Sequence, residues 1–224
     1  MSQQNPGSLR APDPSADRPR TRNARGEGDK LREEVLAAAV RLVSDNERMR
    51  PAPLSLREVA REAGITAPAI YRHFADKDEL VAAVMRQLFS QLIEAMDRAD
   101  EEAADLAPSS RFAALAHAYC RFAEENPSCF RVMFAVAGMA TDASSNSQSP
   151  VSELAERWFR AMTRLSEAGL HLMQGPEQAA ISAWSSVHGR IALDQSTSPH
   201  CLGDVHTFVD DFAASLDLAP RGHD

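Results

Sequence analysis

The chain reads as an all-α protein of about nine helices, and three observations lead there. Apolar residues recur along it at helical spacing, i, i+3, i+4, i+7, in segments of helix length. No stretch alternates apolar and polar residues as a half-buried strand would. Proline, in places with glycine or asparagine before it, stands between periodic segments, as in Asn126-Pro127 and Gly175-Pro176, where it stops one helix and starts the next.

Length and composition fit this reading. The chain has 224 residues with 44% hydrophobic side chains, enough for one or two domains and a sizeable core. No run reaches the length of an apolar membrane span and no charged-then-apolar signal opens the chain, so a cytoplasmic protein with no membrane partner is expected. Cys120, Cys129 and Cys201 form no CxxC pair, which argues against a disulfide framework or a cysteine-rich zinc site. The formal net charge is −8, but it is unevenly spread: residues 1–80 hold 14 Lys and Arg against 13 Asp and Glu, and the remainder 10 against 19. The acidity belongs to the second part of the chain, leaving the first free to present a basic face.

Taken in order, residues 1–28 are rich in Pro, Ser, Gly and Asp, carry Arg18, Arg20, Arg22 and Arg25, and offer little to bury. They are expected to be a disordered arm that either lies along phosphates or is simply a solvated tail. Residues 29–46 carry Leu31, Val35, Ala38, Ala39, Leu42 and Val43 on one helical stripe. After Pro51 and Pro53, a helix capped by Ser55 buries Leu56, Val59, Ala60 and Ala63, and Gly64 ends it in the left-handed conformation of a helix C-cap. Thr66 caps the next helix and Pro68 sits in its first turn, where a missing N–H costs nothing. This second helix turns only Ile70 and Phe74 inward. Ala67, Pro68, Tyr71, Arg72 and His73 are left at the surface, more exposure than a purely structural helix needs. Two helices on a glycine turn, the second displaying small, aromatic and basic groups, match a helix-turn-helix that lays its second helix in the DNA major groove. Asp76 and Glu79 then resemble a capping box, and Lys77 in that first turn makes a phosphate clamp with the helix N-terminus.

The run GITAPAIYRHFADKDEL, residues 64–80, resembles the N-terminal signature of the TetR/AcrR family of bacterial transcription regulators, above all in its Tyr-x-His-Phe followed by a lysine. The apolar phrase NPSCFRVMFAVAG and the run WSSVHGR, with Trp184, His188 and Gly189, resemble C-terminal domains of one group of that family. The resemblance implies an N-terminal three-helix helix-turn-helix domain and a C-terminal helical domain for ligand binding and dimerisation. It divides the chain into the arm 1–28, a DNA-binding domain 29–76, a C-terminal domain 77–218 and a tail 219–224. It also implies roles: Thr66, Tyr71 and Lys77 at phosphates, His73 at a backbone-contacting position, Arg57, Ala67 and Pro68 at base edges or methyl groups, with Arg72 alongside. The partners implied are double-stranded DNA with a near-palindromic operator, a second copy of the chain and an unidentified, mostly apolar small ligand. A repressor released by that ligand is the expected behaviour.

The C-terminal residues bear on the last two partners. A helix through Leu80, Val84, Leu88, Leu92 and Met96 runs to the acidic stretch 97–105, and another carries Phe112, Leu115, Ala116, Tyr119 and Phe122. Phe130, Met133, Phe134, Trp158, Phe159 and Met162 are firstly core, and line a ligand pocket only if the helices leave a cavity. The stretch 139–149 reads as a polar loop. One helix is expected from Pro150 to Gly175, with Ile181, Trp184, His188 and Ile191 on a face of the next. Val205, Phe208 and Phe212 follow on the last, and the two faces together suggest a symmetric four-helix dimer interface.

Other chemistry is weakly signalled. There is no phosphate-binding glycine loop, GxSxG elbow or HExxH zinc motif, so neither an all-helical enzyme nor any cofactor is expected. His117 with Cys120, and His200, Cys201 and His206, leave open a metal- or redox-sensing regulator, although a metal site wants three or four ligands with supporting partners. A ligand-independent regulator and a protein-binding adaptor are the remaining alternatives, the adaptor leaving Tyr71 and Lys77 without a purpose.

Overall fold

In a computed structural model, residues 27–44, 55–137, 149–170, 172, 174–196 and 203–217 are described. Residues 1–26 with the four arginines of the arm, Pro51, Pro53, the stretch 139–148, His200, Cys201 and the tail lie outside them, while residues 27 and 28, expected in the arm, already belong to the first helix. Nine helices and no strand occur among the described residues: α1 Glu27–Ser44, α2 Leu56–Glu62, α3 Ala67–Ile70, α4 Lys77–Glu102, α5 Pro108–Glu125, α6 Pro127–Ala137, α7 Pro150–Glu167, α8 Pro176–Ser196 and α9 Val205–Asp217. The fold is all-α, as the periodicity indicates.

Prolines open α5, α6, α7 and α8, where the ring fixes a helical φ and its missing N–H would be unpaired in any case. Glycine closes α7 at a point the sequence reading placed later. That helix stops at Glu167, not at Gly175, because Gly169 takes φ +84°. Gly169 N–H then donates to Ser166 and Leu170 N–H to Leu165, the paired bonds of a Schellman stop.

Helix α4 is the spine. Leu80, Val84, Leu88, Leu92 and Met96 are buried along it; α1 packs against its beginning, and α5 and α7 against its length. Helices α8 and α9 complete the C-terminal layer on α5 and α7. Helix α1 also packs on α6, where Ser44 Oγ lies 3.1 Å from Cys129 Sγ. The first helix therefore contacts α2 on one side and the C-terminal helices α4 and α6 on the other.

The far end of α4 is held by charge. Asp97 accepts from Arg157 at 3.1 and 2.9 Å, and Asp100 accepts from Arg111 at 3.0 and 2.7 Å and from Arg164 at 2.5 Å. Two carboxylates one turn apart on α4 thus tie down α5 and α7. Each carboxylate holds the guanidinium it pairs in the charged form, and the Arg111 and Arg157 pKa values rise accordingly. Arg164 moves the other way because its burial outweighs Asp100. The acidic run is in this part a set of ion-pair partners rather than a solvated face.

Candidate nucleic-acid interface

The geometry of the α2–α3 unit follows from its turn. Gly64 has φ +68°; its N–H donates to Arg61, and Ile65 N–H reaches back to Ala60 at 2.9 Å. These two bonds close α2 and swing Ile65 onto the core, where it packs half-buried. A Cβ built on Gly64 meets nothing within 4 Å, so glycine is required by backbone conformation and not by space.

Thr66 then occupies the N-cap of α3 with φ −87° and ψ 146°. Neither Ser55 nor Thr66 makes a side-chain capping bond, which leaves the Thr66 hydroxyl exposed for another acceptor or donor. The helix itself is anchored by Ile70 and, just beyond it, Phe74, both fully buried. Arg32 of α1 lies 4.8 Å above the Phe74 ring, a cation–π contact that pins this turn to the first helix.

The remaining side chains are distributed by that anchoring. Arg57, Thr66, Pro68, Tyr71 and Arg72 are exposed, Tyr71 by 56%, whereas Ala67, His73 and Lys77 are half-buried. Ala67 packs against the core. His73 sits beside the start of α1, 3.9 Å from where a Cβ on Gly28 would stand. Lys77 is the first residue of α4, whose N-cap Asp76 accepts from Glu79 N–H at 2.8 Å. Glu79 reaches back to the Ala75 N–H at 2.6 Å, one residue earlier than in the usual reciprocal box. Both acidic side chains are thereby engaged by backbone N–H groups. Arg57, Arg72 and Lys77 make no ion pair among the described residues, while Glu62 is taken by Arg41 at 2.8 Å. The surface around α3 consequently offers uncommitted cations, the Thr66 hydroxyl and the Tyr71 phenol, contributed by α2, the turns flanking α3 and the start of α4.

The second group of candidate residues lies in the C-terminal layer. Phe130, Met133, Trp158 and Met162 are buried, Phe134 is half-buried, and Phe159 is 38% exposed. Phe159 therefore points away from the cluster that its neighbour Trp158 joins. Trp184 and His188 come to Tyr119 of α5: the indole N–H donates to the Tyr119 hydroxyl at 3.0 Å, and that hydroxyl lies 2.8 Å from His188 Nδ1. Burial pushes the Tyr119 pKa up and the His188 pKa down. Both groups are thus held in their neutral forms; the indole N–H can only donate, so the Tyr119 hydroxyl accepts from Trp184, and in the His188 tautomer that leaves Nδ1 unprotonated its own O–H donates on to that nitrogen. Phe130 and Phe134 flank the imidazole, with ring centroids at 5.3 and 4.4 Å.

This relay was not readable beforehand, because it joins residues 65 and 69 positions apart. The fourfold spacing of Trp184 and His188 was its only visible trace. On α8 the buried side chains are Ala180, Ala183, Val187, Arg190 and Ile191. Ile181 is exposed by 51%, Trp184 and His188 are half-buried, and Ile191 and Val205 are already buried within the protomer. Phe208 and Phe212 are half-buried on α9. The accessible apolar groups in this set are therefore Ile181, Trp184, Phe208 and Phe212, while Ile191 and Val205 belong to the protomer core. The described residues contain no group of three or more His, Cys, Asp and Glu suited to a metal, and no described helix is long and apolar enough to cross a membrane.

Comparison with known proteins matches both parts of the chain. Residues 35–84 fit the model for bacterial regulatory proteins of the tetR family, and residues 112–216 fit that for a tetracyclin repressor-like C-terminal domain. The HTH-type transcriptional regulator Rv1816 of Mycobacterium tuberculosis is 31% identical over 83 residues, 37% of this chain and 36% of that protein. The chain thus spans about a third of the length of the curated relatives it matches. A protein of unknown function from Rhodococcus sp. RHA1 shares the fold with a TM-score of 0.66 and 26% identity, covering 89% of this chain and 97% of its own. The TetR family transcriptional regulator PfmR from Thermus thermophilus aligns at a TM-score of 0.56 and 16% identity, over 83% of this chain and 97% of its own. With the helix-turn-helix unit and the C-terminal layer each matched, the chain belongs to the TetR family of bacterial regulatory proteins.

Proposed function

We propose that this protein is a cytoplasmic, sequence-specific DNA-binding transcription regulator that works as a homodimer on a near-palindromic operator. The observation that carries the reading is the α3 turn: a four-residue helix preceded by a left-handed glycine and anchored by buried Ile70 and Phe74, with Thr66, Pro68, Tyr71 and Arg72 turned outward. Thr66, Tyr71 and Lys77 then contact phosphates with His73 beside them, and Arg57, Ala67 and Pro68 face the bases, with Arg72 alongside. Residues 29–76 form the DNA-binding domain and 77–218 the domain that dimerises. Phosphate contacts fix register and base contacts give specificity, so the two groups should fail differently. With an operator selected from a random DNA pool, Lys77→Ala should weaken binding to all sequences and lower the salt slope by about one, while Arg57→Ala should cost about 1–3 kcal/mol, mainly at one base pair. A salt slope unaltered by Lys77→Ala removes the clamp from the mechanism.

The regulatory mode we propose is repression relieved by a mostly apolar ligand that enters among Phe130, Met133, Phe134, Trp158 and Met162 and shifts α4. The half-buried edge of that cluster, Phe134 with Trp184 and His188, is its accessible side. One observation favours a second reading, a ligand-independent regulator: Phe130, Met133, Trp158 and Met162 are each at most 2% exposed. Open surface grooves of about 330 Å³ and about 350 Å³ lie apart from this cluster, at Arg41, Leu42, Ser44 and Glu62 and between α4 and α5. Operator affinity measured with and without small apolar probes separates the two, because ligand and operator must weaken one another by the same factor.

A further inference from the structure

Helices α5 and α9 meet through a line of four polar side chains that DNA recognition does not use. Asp210 Oδ1 lies 2.7 Å from His117 Nε2, His117 Nδ1 lies 2.7 Å from His206 Nδ1, and His206 Nε2 lies 3.1 Å from Glu124 Oε2. His117 and Glu124 belong to α5, His206 and Asp210 to α9. The two imidazole centroids are 4.9 Å apart and the ring planes differ by 26°. Stacked faces would stand at about 3.5–4.0 Å, so rings whose nearest nitrogens are much closer than their centroids meet edge to edge and nearly coplanar. This is the geometry of an N–H···N hydrogen bond.

Proton counting follows. An ionised carboxylate only accepts, so each Nε2 must carry a hydrogen for both outer bonds to form. The inner bond takes one more hydrogen, on one Nδ1 and not on both. The complete line therefore holds three ring protons, one imidazolium and one imidazole, between two carboxylates. With one proton fewer, either two Nδ1 lone pairs face each other or an outer bond is lost. With one more, two N–H groups of two cations are driven together. We propose that His117 and His206 share a single proton that clasps α9 to α5, so that docking of α9 is strongest when the pair carries one positive charge and loosens when the pair gains or loses a proton.

The surroundings suit a retained cation. Asp204 at the start of α9 accepts from Thr207 N–H at 2.9 Å and is held below the usual carboxylate range by that bond. From α8 comes the Arg190–Asp194 pair at 3.2 Å, and from α5 Arg121. In the same corner the Cys120 thiol is pushed up to about 12, by burial first and then by Glu124. A bridging metal is excluded on size: an ion about 2.0–2.1 Å from each nitrogen does not fit between nitrogens 2.7 Å apart that approach head-on.

Histidine side chains change charge within about pH 5–8. Hydrogen exchange of the α9 amides in the full chain, corrected for intrinsic rates, should show a protection maximum in that window. Protection should fall about tenfold on each side, the loss expected for a charge-assisted bond. His206→Asn, which keeps an amide near the Nδ1 position but cannot take the charge, should flatten the profile. If that variant fails to fold, nitrogen-15 histidine spectra of the unaltered chain decide: one strongly deshielded proton linked to both rings, absent at both pH extremes. Protection that changes monotonically, rings that titrate independently, or protection that requires added Zn²⁺ and is abolished by EDTA overturns the proposal.

Discussion

Replacing Tyr119 by Phe removes one oxygen from the C-terminal core and leaves its packing intact. The ring keeps its edge contacts with Phe130 and Trp158, at centroid distances of 5.3 and 5.4 Å, so no cavity larger than the hydroxyl opens. Two hydrogen bonds are lost, from Trp184 and to His188. Each is worth a net 0.5–1.5 kcal/mol, roughly, and an orphaned buried donor can cost about 1–3 kcal/mol. Trp184 is half-buried, and water can reach part of its vacated partner's place. A loss of about 1–3 kcal/mol follows, or about 2–12 °C in the unfolding midpoint of a chain this size. A second readout isolates the relay. The Tyr119 O–H donates to neutral His188 and so favours the unprotonated ring, as burial does. In Tyr119→Phe the His188 pKa should rise while burial still holds it below its ordinary value. The sign for stability is fixed by the same shift. A histidine whose folded pKa is depressed binds fewer protons folded than unfolded, so its contribution is complete above the unfolded value of about 6.5 and is lost as pH falls toward the folded one. The variant should therefore lose less stability between neutral and mildly acid pH than the parent. Thermal unfolding across that range, with the His188 resonance followed by NMR, tests both parts. An unchanged midpoint together with an unchanged His188 titration refutes the relay.

Other perturbations probe separate joints. Gly64→Ala meets no steric obstacle, so it should cost only the left-handed backbone penalty of about 1–2 kcal/mol, and Gly64→Asn should recover part of this; equal midpoints for glycine and alanine would contradict the turn. Asp100→Ala strips two guanidiniums of their partner at a site where the carboxylate is 16% exposed, against 36% for Asp97, and should cost about 2 kcal/mol, more than Asp97→Ala in denaturant unfolding. Ile181→Glu places a charge on an exposed position of α8, so folding should be unaffected while sedimentation reports monomers. An intact dimer would move the interface off this face. Trp184→Glu is the poorer probe, because it also breaks the bond to Tyr119.

What the sequence disclosed depended on how far apart the interacting residues lie. The α2–α3 turn is local. Gly64, Ile65, Thr66 and Pro68 each have a conformational consequence within a few residues, and the structure shows Gly64 left-handed and Pro68 in the first turn of α3. The capping partnership of Asp76 and Glu79 is likewise short-range, and it forms. The end of α7 differs from the expected one for a physical reason: glycine at 169 or at 175 is able to stop a helix, and it is Gly169 that takes the left-handed conformation, with Leu170 packed onto the core behind it. The C-terminal layer was legible as core but not as an arrangement. Trp158 and Phe159 are both large and apolar, yet one is buried and the other 38% exposed, because adjacent helical residues point about 100° apart. The ion pairs of Asp97 and Asp100 and the carboxylate–histidine line between α5 and α9 required partners from another helix.

Helix α8 shows most clearly why its inward face could not be assigned from periodicity. Large apolar groups lie around much of its circumference, so no single stripe stands out. Its protomer-facing stripe is instead built from small residues, Ala180 and Ala183, with Val187 and Ile191, which let the helix come close to α7. Bulky Ile181 is left outward, and Trp184 and His188 occupy the flank where they meet Tyr119. A residue that bridges a core network and an accessible edge is well placed to convert a change at that edge into a shift of α5. Since α5 packs along α4, and α4 begins at Lys77 beside the proposed DNA-contacting turn, the connection from the His188 edge to Lys77 runs through packed helices without a gap. Whether this connection transmits a signal depends on two distinct positions of α4 being available, and Tyr119→Phe measured for operator affinity as well as stability distinguishes a coupled path from a merely contiguous one.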